Sequence, residues 1–407
     1  MSASATGSVA AGSVGYDPYD YAIHEDPYPT YARLRDEAPL YRNDDRGFWA
    51  LSRYADVIAA FRDSARFSNG HGVSIDPSAS GPHADKTMSF LAMDPPRHTR
   101  MRALVSRGFA PRRVVLMEGR IREITQEHLC ASSAGESGEF DFVAALAGKL
   151  PMDVISELIG VCKADRDQLR AWADLLVHRE EGVTDVPPAG VEAAFNMAGS
   201  FEEMLAERRR KRTDDLTSAL LDAEIDGDRL TDDEIVAVLF LMVVAGNETT
   251  TKLLANAWYW AWKNPEQRAV PFADRDRIPQ WIEETLRYDT STQMLARVTT
   301  EDVPMYGTVI PKGDRVLLLA GSANRDPRQW KDADSYRIGR DTQGLASFGV
   351  GRHFCMGASL ARLEARVCLE ALVAAVADYD IDESNAQRVH SVNVRGFAAL
   401  PTHVTLR

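Results

Sequence analysis

Thr231-Asp232-Asp233-Glu234 is a capping box, and the apolar run behind it is the feature that most restricts the fold. Threonine and the glutamate three residues on can each satisfy a backbone donor that a helix start leaves bare. Helical periodicity then continues to about Trp262, a length of roughly 45–50 Å at ~1.5 Å per residue. The first half of this helix is apolar on every side, so it is predicted to cross the centre of the molecule. Its longest apolar run, Ile235 to Gly246, is too short to span a bilayer. Ala245-Gly246-Asn247-Glu248-Thr249-Thr250 then interrupts the run. A glycine inside a helix costs about 1 kcal/mol, and a buried glutamate costs more. The interruption is either a polar patch where the helix leaves the core or a functional site.

A second feature lies near the C-terminus, in Phe348-Gly349-Val350-Gly351-Arg352-His353-Phe354-Cys355-Met356-Gly357. A cysteine stands at the exit of a glycine-punctuated loop, directly before a helical pattern that runs from Met356 to about Ala377. Gly349 and Gly351 permit the positive φ of a tight loop. Gly357 leaves room for a flat macrocycle or a crossing backbone. The following helix would aim its positive end at the sulfur. A free thiol titrates near ~8.5 and only the thiolate is a good ligand; a metal would deprotonate it. The other reading is a buried structural cysteine beside a glycine turn.

This loop resembles the haem-ligand loop of cytochromes P450, Phe-x-x-Gly-x-(Arg/His)-x-Cys-x-Gly, with Phe348, Gly351, His353, Cys355 and Gly357 in place. The interrupted helix is similar to that family's (Ala/Gly)-Gly-x-(Asp/Glu)-Thr-(Thr/Ser) motif. The resemblance implies that Ala245 and Gly246 let the helix approach the cofactor and leave space for a diatomic ligand. It implies too that Thr249 hydrogen-bonds oxygen and Glu248 relays protons from solvent. Glu284-Thr285-Leu286-Arg287 matches Glu-x-x-Arg, with Arg340 as the third member of a buried network. The usual acid after the aromatic of Tyr336-Arg337 is an arginine here, which leaves the local pairing open. His98 and Arg102 match His-x-x-x-Arg, and at i,i+4 share one helix face. With Arg297 and His353 they would hold the haem propionates. Phe348, Gly349 and Gly357 would contact the haem, and Cys355 would ligate its iron.

The resemblance runs from the first helix to the C-terminus, so the fold class is mainly α with a small β portion, built around the long helix and a haem b. A leader of Ser, Ala and Gly at 1–15 would precede a single domain at 16–407. Helices are expected from Asp26-Pro27 to about Arg35 and from Tyr54 to Arg62. A strand is expected at Phe48–Leu51 and a β interruption at Met294–Thr300 and Arg315–Ala320. Phe67 to Asp94 reads as a long functional loop. Asp185 to Gly190 reads as a connection between helices, and the run Arg208 to Arg212 as a solvated helix end. Pro271 should truncate the helix after Asn264-Pro265. Four cysteines without CxxC spacing fit a reducing cytoplasm, and a net charge of −13 argues against nucleic acid as a partner.

The activity implied is a monooxygenase that inserts one oxygen atom of O2 into a C–H bond of a hydrophobic small molecule, in a monomeric cytoplasmic protein without a membrane anchor. The chain carries no flavin or nicotinamide fingerprint, so a ferredoxin and its reductase would supply electrons. Arg107, Arg112, Arg113, Arg352, Arg362 and Arg366 could present a basic face to that partner. The pocket would draw on Val73, Met88, Phe90, Leu91, Leu241, Val244, Ala245, Met294, Leu295, Val392, Val394 and Phe397, all apolar. Two other readings use the same residues: a peroxide-driven peroxygenase, and a haem-thiolate sensor or carrier without turnover.

Overall fold

The computed structural model describes residues 14–108, 111–132 and 138–407, without the side chains at 107, 108, 111–113 and 132. Most of the expected leader therefore lies outside the described residues. Val14, inside its expected span, is buried with Tyr31 and Phe48.

The central helix spans Asp232–Lys263, 32 residues, with both arms of the capping box made. The Glu234 amide donates to Thr231 Oγ1 at 3.2 Å, and the Thr231 amide to Glu234 Oε2 at 2.9 Å. Helices Leu150–Ile159, Arg166–Val177, Pro188–Arg210, Ile278–Tyr288 and Ala358–Ala375 pack around it. Its apolar circumference explains this arrangement, since every face needs a partner out of water. Trp258 shows how tight the packing is: its ring stacks on Tyr379 at 3.5 Å and on Phe142 at 5.3 Å.

The largest sheet of the small β portion has five strands, in the order Leu40–Asn43, Phe48–Leu51, Arg315–Leu318, Leu295–Thr299, Phe67–Ser68. Phe48–Leu51 runs parallel to Arg315–Leu318, and the other pairings are antiparallel. The strand Leu40–Asn43 and the hairpin Val303–Met305/Thr308–Ile310 are too short to stand out by alternation. The sheet sets Arg297 on the strand that enters the site.

Most expected elements lie where the sequence placed them. The helix Tyr54–Arg62 agrees to the residue, and the first amphipathic helix occupies Tyr28–Glu37. The connection between Arg166–Val177 and Pro188–Arg210 occupies 178–187, so Pro188 to Gly190, expected within it, instead open the second helix. One expectation fails. The helix Pro265–Ala273 continues through Pro271; the lost amide donor does not end it, since the Asp274 amide still donates to the Val270 carbonyl at 3.0 Å and the proline ring is buried. The basic run is the solvated helix end expected, exposed from Arg209 to Arg212, and it is also paired: Arg208 with Asp215 at 2.6 Å, Arg209 with Asp232, and Arg212 with Asp222 at 3.1 Å. These pairs tie the end of that helix to the next two.

Candidate functional site

Cys355 sits where a 3-10 turn, Gly351–His353, hands over to the helix Ala358–Ala375. Its amide donates to the Phe348 carbonyl at 2.9 Å, which folds the loop back on itself. That turn needs positive φ at Gly349 (64°) and Gly351 (78°). Gly351 also abuts Phe61 O and Arg62 Cα at 3.4 Å from where a Cβ would stand. The thiol lies in a recess but keeps an open face. Burial pushes it above its ordinary value, against the pull of the Gly357 amide, Arg102, Arg362 and the Ala358 amide. Those amides are the start of the helix, aimed at the sulfur. A Cβ at Gly357 would stand 3.9 Å from Sγ, so the glycine keeps the sulfur's flank clear. Phe348 lies under the Arg362 guanidinium at 4.5 Å.

Four basic side chains gather beside this loop. His98 and Arg102 come from the helix Arg97–Gly108, Arg297 from the strand Leu295–Thr299, and His353 from the cysteine loop. The His98 and His353 rings are 4.1 Å apart. Neither nitrogen of His98 has a partner, nor does Nε2 of His353. Burial, His98, Arg297 and Arg102 push His353 down to about 3. Burial and the two arginines 102 and 352 also lower His98. Arg297 is 2 % exposed, donates only to the Ala296 carbonyl at 2.7 Å, and is pushed down to about 10 by burial. Arg102 donates to the Phe354 carbonyl at 2.6 Å. Among the described residues no carboxylate pairs with any of the four. By contrast, Arg97 and Arg100 on the same helix are satisfied by Asp85 and by Asp228 and Glu234. Buried cations and orphaned ring nitrogens without anions are costly unless an anionic ligand completes them. The two carboxylates of a haem fit that need, and the thiol with its supporting amides fits the iron.

On the central helix, Ala245 is exposed although its neighbours Val243, Asn247 and Glu248 are buried, so it faces a cavity. Thr249 Oγ1 donates to the Ala245 carbonyl at 2.7 Å. Glu248 is buried; Asn247 Nδ2 donates to its Oε1 at 3.1 Å, and Lys252 Nζ stands 3.2 Å from its Oε2. Gly246 departs from the expected role. The direction in which it lacks a side chain points at Ile155 of the helix Leu150–Ile159, 3.6 Å from where a Cβ would stand. That direction faces the neighbouring helix at ordinary contact distance, whereas Ala245 is the exposed member of the pair.

The buried network is made in full. Arg287 Nε and Nη2 each donate to Glu284 at 2.8 Å, both residues being fully buried. Arg340 Nε reaches the same carboxylate at 3.4 Å. The pairing that Arg337 left open resolves through its backbone, whose amide donates to Glu284 Oε1 at 2.8 Å.

Of the expected pocket residues, Leu91, Val244, Leu295 and Val394 are half-buried, as is Met88, while Phe90, Leu241 and Val73 are buried. Met294 is spent in a second core with Phe48 and Tyr31, as is Val392, and neither has surface left for a ligand. Phe397 packs on Tyr259 at 4.7 Å and under Arg388 at 3.8 Å, away from any opening. These three are corrected to core residues: strand alternation puts Met294 on the face opposite Leu295. The basic face is also thinner than expected. Arg362 pairs with Glu283 at 2.5 Å, and Arg366 with Glu118 at 2.7 Å and Glu370 at 2.8 Å. Arg352 is exposed, and the side chains of Arg107, Arg112 and Arg113 lie outside the described ones. Sequence reading missed Asp174 and Lys252, which flank Glu248. Lys252 had a signal, as a lysine in an apolar helix four residues after the glutamate; Asp174 had none.

Comparisons with known proteins agree with this geometry. The family model described as Cytochrome P450 matches residues 193–375. The chain is 59% identical over 392 residues to a protein of Mycobacterium tuberculosis named as a cytochrome P450 123, covering 96% of this chain and 97% of that one. It is 39% identical over 397 residues to the cytochrome P450 monooxygenase PikC of Streptomyces venezuelae, covering 96% and 92%. The solved structure of cytochrome P450 CYP109Q5 from Chondromyces apiculatus superposes with a TM-score of 0.87 at 36% identity, covering 97% of this chain and 99% of that one.

Proposed function

The chain belongs to the cytochrome P450 family, an enzyme family of haem b monooxygenases, and from that premise we propose that it hydroxylates a hydrophobic small molecule with electrons from a ferredoxin and its reductase. The observation that carries this reading is Cys355. Its sulfur is held by two helix-start amides and open on one side, just before a helix that packs directly against the central helix bearing Ala245 and Thr249.

When bound, the haem supplies oxygen binding, electron uptake and C–H oxidation. The chain's own residues do the rest. Cys355 ligates the iron as thiolate, and the Gly357 and Ala358 amides hold the sulfur's charge and orientation. His98, Arg102, Arg297 and His353 bind the propionates, with Phe348, Gly349 and Gly357 shaping the loop against the macrocycle. The Glu284–Arg287–Arg340 network is the scaffold that fixes the approach to the loop. Ala245 leaves the helix surface flat where the cavity needs room. Thr249 holds a proton at Oγ1, parked on the Ala245 carbonyl, and Glu248 replenishes it. Phe90, Leu91, Leu241, Val244, Leu295 and Val394 exclude water and orient an apolar substrate.

An electron donor would dock on the cysteine side, where Arg352 is exposed and Val115 and Leu116 stand 69% and 74% exposed on the short helix Pro111–Leu116. That helix packs on the Cys355-side helix Ala358–Ala375. The protein is a cytoplasmic monomer in this reading, folded as one unit.

The test has two parts. The carbon monoxide difference spectrum of the reduced protein should show the far-red band of a thiolate ligand. A library of apolar compounds should then contain members that shift the ferric spin state, are hydroxylated with ferredoxin, and are not turned over by the Cys355→Ala variant. A spectrum without the thiolate band would end the reading.

A further inference from the structure

Glu248 is well placed to hand a proton inward and badly placed to obtain one, because it is 2% exposed. Lys252 closes one side; it is 4% exposed and fits under the backbone of Gly396, where a Cβ would stand only 2.5 Å from Lys252 Cβ. Asn247 occupies Oε1, and Oε2 faces the Lys252 ammonium at 3.2 Å without an aligned hydrogen bond. One other side chain reaches it. Asp174 stands on the helix Arg166–Val177, which packs against the central helix; its carboxyl interacts with that of Glu248 and is itself exposed.

We propose that Asp174 is the proton inlet of this enzyme, a positioning residue that shares one proton with Glu248 beside Lys252. The proposal rests on Glu248 serving as the inward donor. Charge counts favour it. Two carboxyl groups, one shared proton and one ammonium sum to zero, whereas two carboxylates beside one ammonium leave a net negative charge at the buried Glu248, Arg170 being shared with Asp167. The proton's path balances without electron transfer. Hydronium from solvent protonates the Asp174 carboxylate and leaves as water; the Asp174 O–H donates to the Glu248 carboxylate; Glu248 passes the proton to Thr249 Oγ1 as that hydroxyl gives its own proton to the oxygen substrate in the cavity. Asp174 then refills from solvent.

The charged groups that face Asp174 are Glu248 and Lys252 from the central helix and Arg170 from its own, with Arg170 also 3.6 Å from Asp167. On the helix Leu150–Ile159, Asp153 and Glu157 are committed to Arg166, His128 and Arg120. The turn Lys163–Asp165 directs its charges to Glu127 and Cys162. The helix Pro188–Arg210 offers only outward acids, Glu192, Glu202, Glu203 and Glu207, and its arginines 208 and 209 are paired with Asp215 and Asp232. The Glu248 contact therefore dominates. Burial and that carboxylate together push Asp174 up to about 7.

The test compares Asp174→Asn, Asp174→Glu and Glu248→Gln as holoenzymes. The first readout is the thermal midpoint of the ferric, substrate-free protein against pH. A raised carboxyl binds a proton in the folded state that it has lost in the unfolded one, so it lowers stability as pH climbs from its ordinary 3.8 to about 7. Asp174→Asn should lack that decline and Asp174→Glu should restore it. The second readout is product against peroxide released during turnover with a ferredoxin system. Asp174→Asn should slow proton-limited turnover on the order of 100-fold and divert electrons to peroxide, with Asp174→Glu recovering most of the loss. If Glu248→Gln uncouples turnover while Asp174→Asn keeps both the wild-type midpoint curve and the wild-type coupling, the inlet is elsewhere and Glu248 stands. If neither variant uncouples, the role of Glu248 falls and the inlet with it.

Discussion

The imidazole rings of His98 and His353 lie 4.1 Å apart at a tilt of 43°, with three of their nitrogens unpartnered. Two weak bases in contact repel once protonated, and the arginines at 102 and 297 add to that repulsion. Chain elements distant in sequence converge here: a helix near residue 100, a strand near 297 and a loop near 353. An anionic ligand turns the same arrangement from a cost into a binding site.

Arg297→Leu is therefore expected to weaken haem retention by about 10- to 100-fold, the loss of a charged hydrogen bond of ~1.5–3 kcal/mol. Transfer of haem to an apo-globin scavenger measures it. The haem-free variant should be at least as stable as haem-free wild type, because it no longer buries an unpaired guanidinium. A haem transfer rate equal to wild type would place the propionates elsewhere.

Cys355→Ala should fold, since the loop is held by the backbone bond from residue 355 to the Phe348 carbonyl and by the glycine turns. It should lose the thiolate band of the reduced carbon monoxide complex and all monooxygenase turnover. A retained band would assign the ligand to another residue.

Glu284→Gln should cost about 3–5 kcal/mol in denaturant unfolding, because it strands the fully buried Arg287 guanidinium. Arg340→Lys, at the looser 3.4 Å contact, should cost far less. Equal losses would mean that the three residues act as one unit.

How much of this could be read from the chain follows from where the information lies. The cysteine loop, the central helix and Glu284–Arg287 are local: spacing within ten residues fixes which atoms meet, and each stands as expected. Asp174 and Glu248 meet only because the helices Arg166–Val177 and Asp232–Lys263 pack against each other. Nothing around Asp174 in the sequence marks it. Met294 and Leu295 fail in another way. Both are apolar neighbours in one strand, and only the sheet's placement decides which faces the cavity and which the Tyr31 and Phe48 core. Pro271 failed because one lost backbone bond was expected to end a helix that the Asp274 amide still closes on the Val270 carbonyl.

Asp289 sets an acid limit. It is buried, accepting from Tyr28 Oη at 2.7 Å, Trp260 Nε1 at 2.8 Å and Arg395 Nε at 2.7 Å. Burial alone would raise this carboxyl, but Arg395, Arg388 and the neutral donors hold it down at about 2. Its stabilisation is complete above the ordinary value of 3.8 and is lost as pH falls toward 2. That shift is worth about 2 kcal/mol. Wild type should lose that much more stability than Asp289→Asn over this interval in denaturant titrations, and parallel curves would refute the assignment.

Ala245 and Gly246 make a matched pair for the last test, because one is exposed and the other faces Ile155. A methyl group at 246 would meet Ile155 at 3.6–3.7 Å, ordinary contact distance. Gly246→Ala should therefore fit, and by removing a helix-interior glycine should stabilise by up to about 1 kcal/mol. Turnover and spin-state response should change little. Ala245→Leu adds its bulk on the exposed side of the helix, into the cavity. It should leave folding intact, since no protein atom need move, yet impair substrate binding and oxygen use severely. Thermal midpoints and spin-state titrations of the two variants separate the roles. A Gly246→Ala protein that blocks ligands as Ala245→Leu does would return the space beside the haem to residue 246.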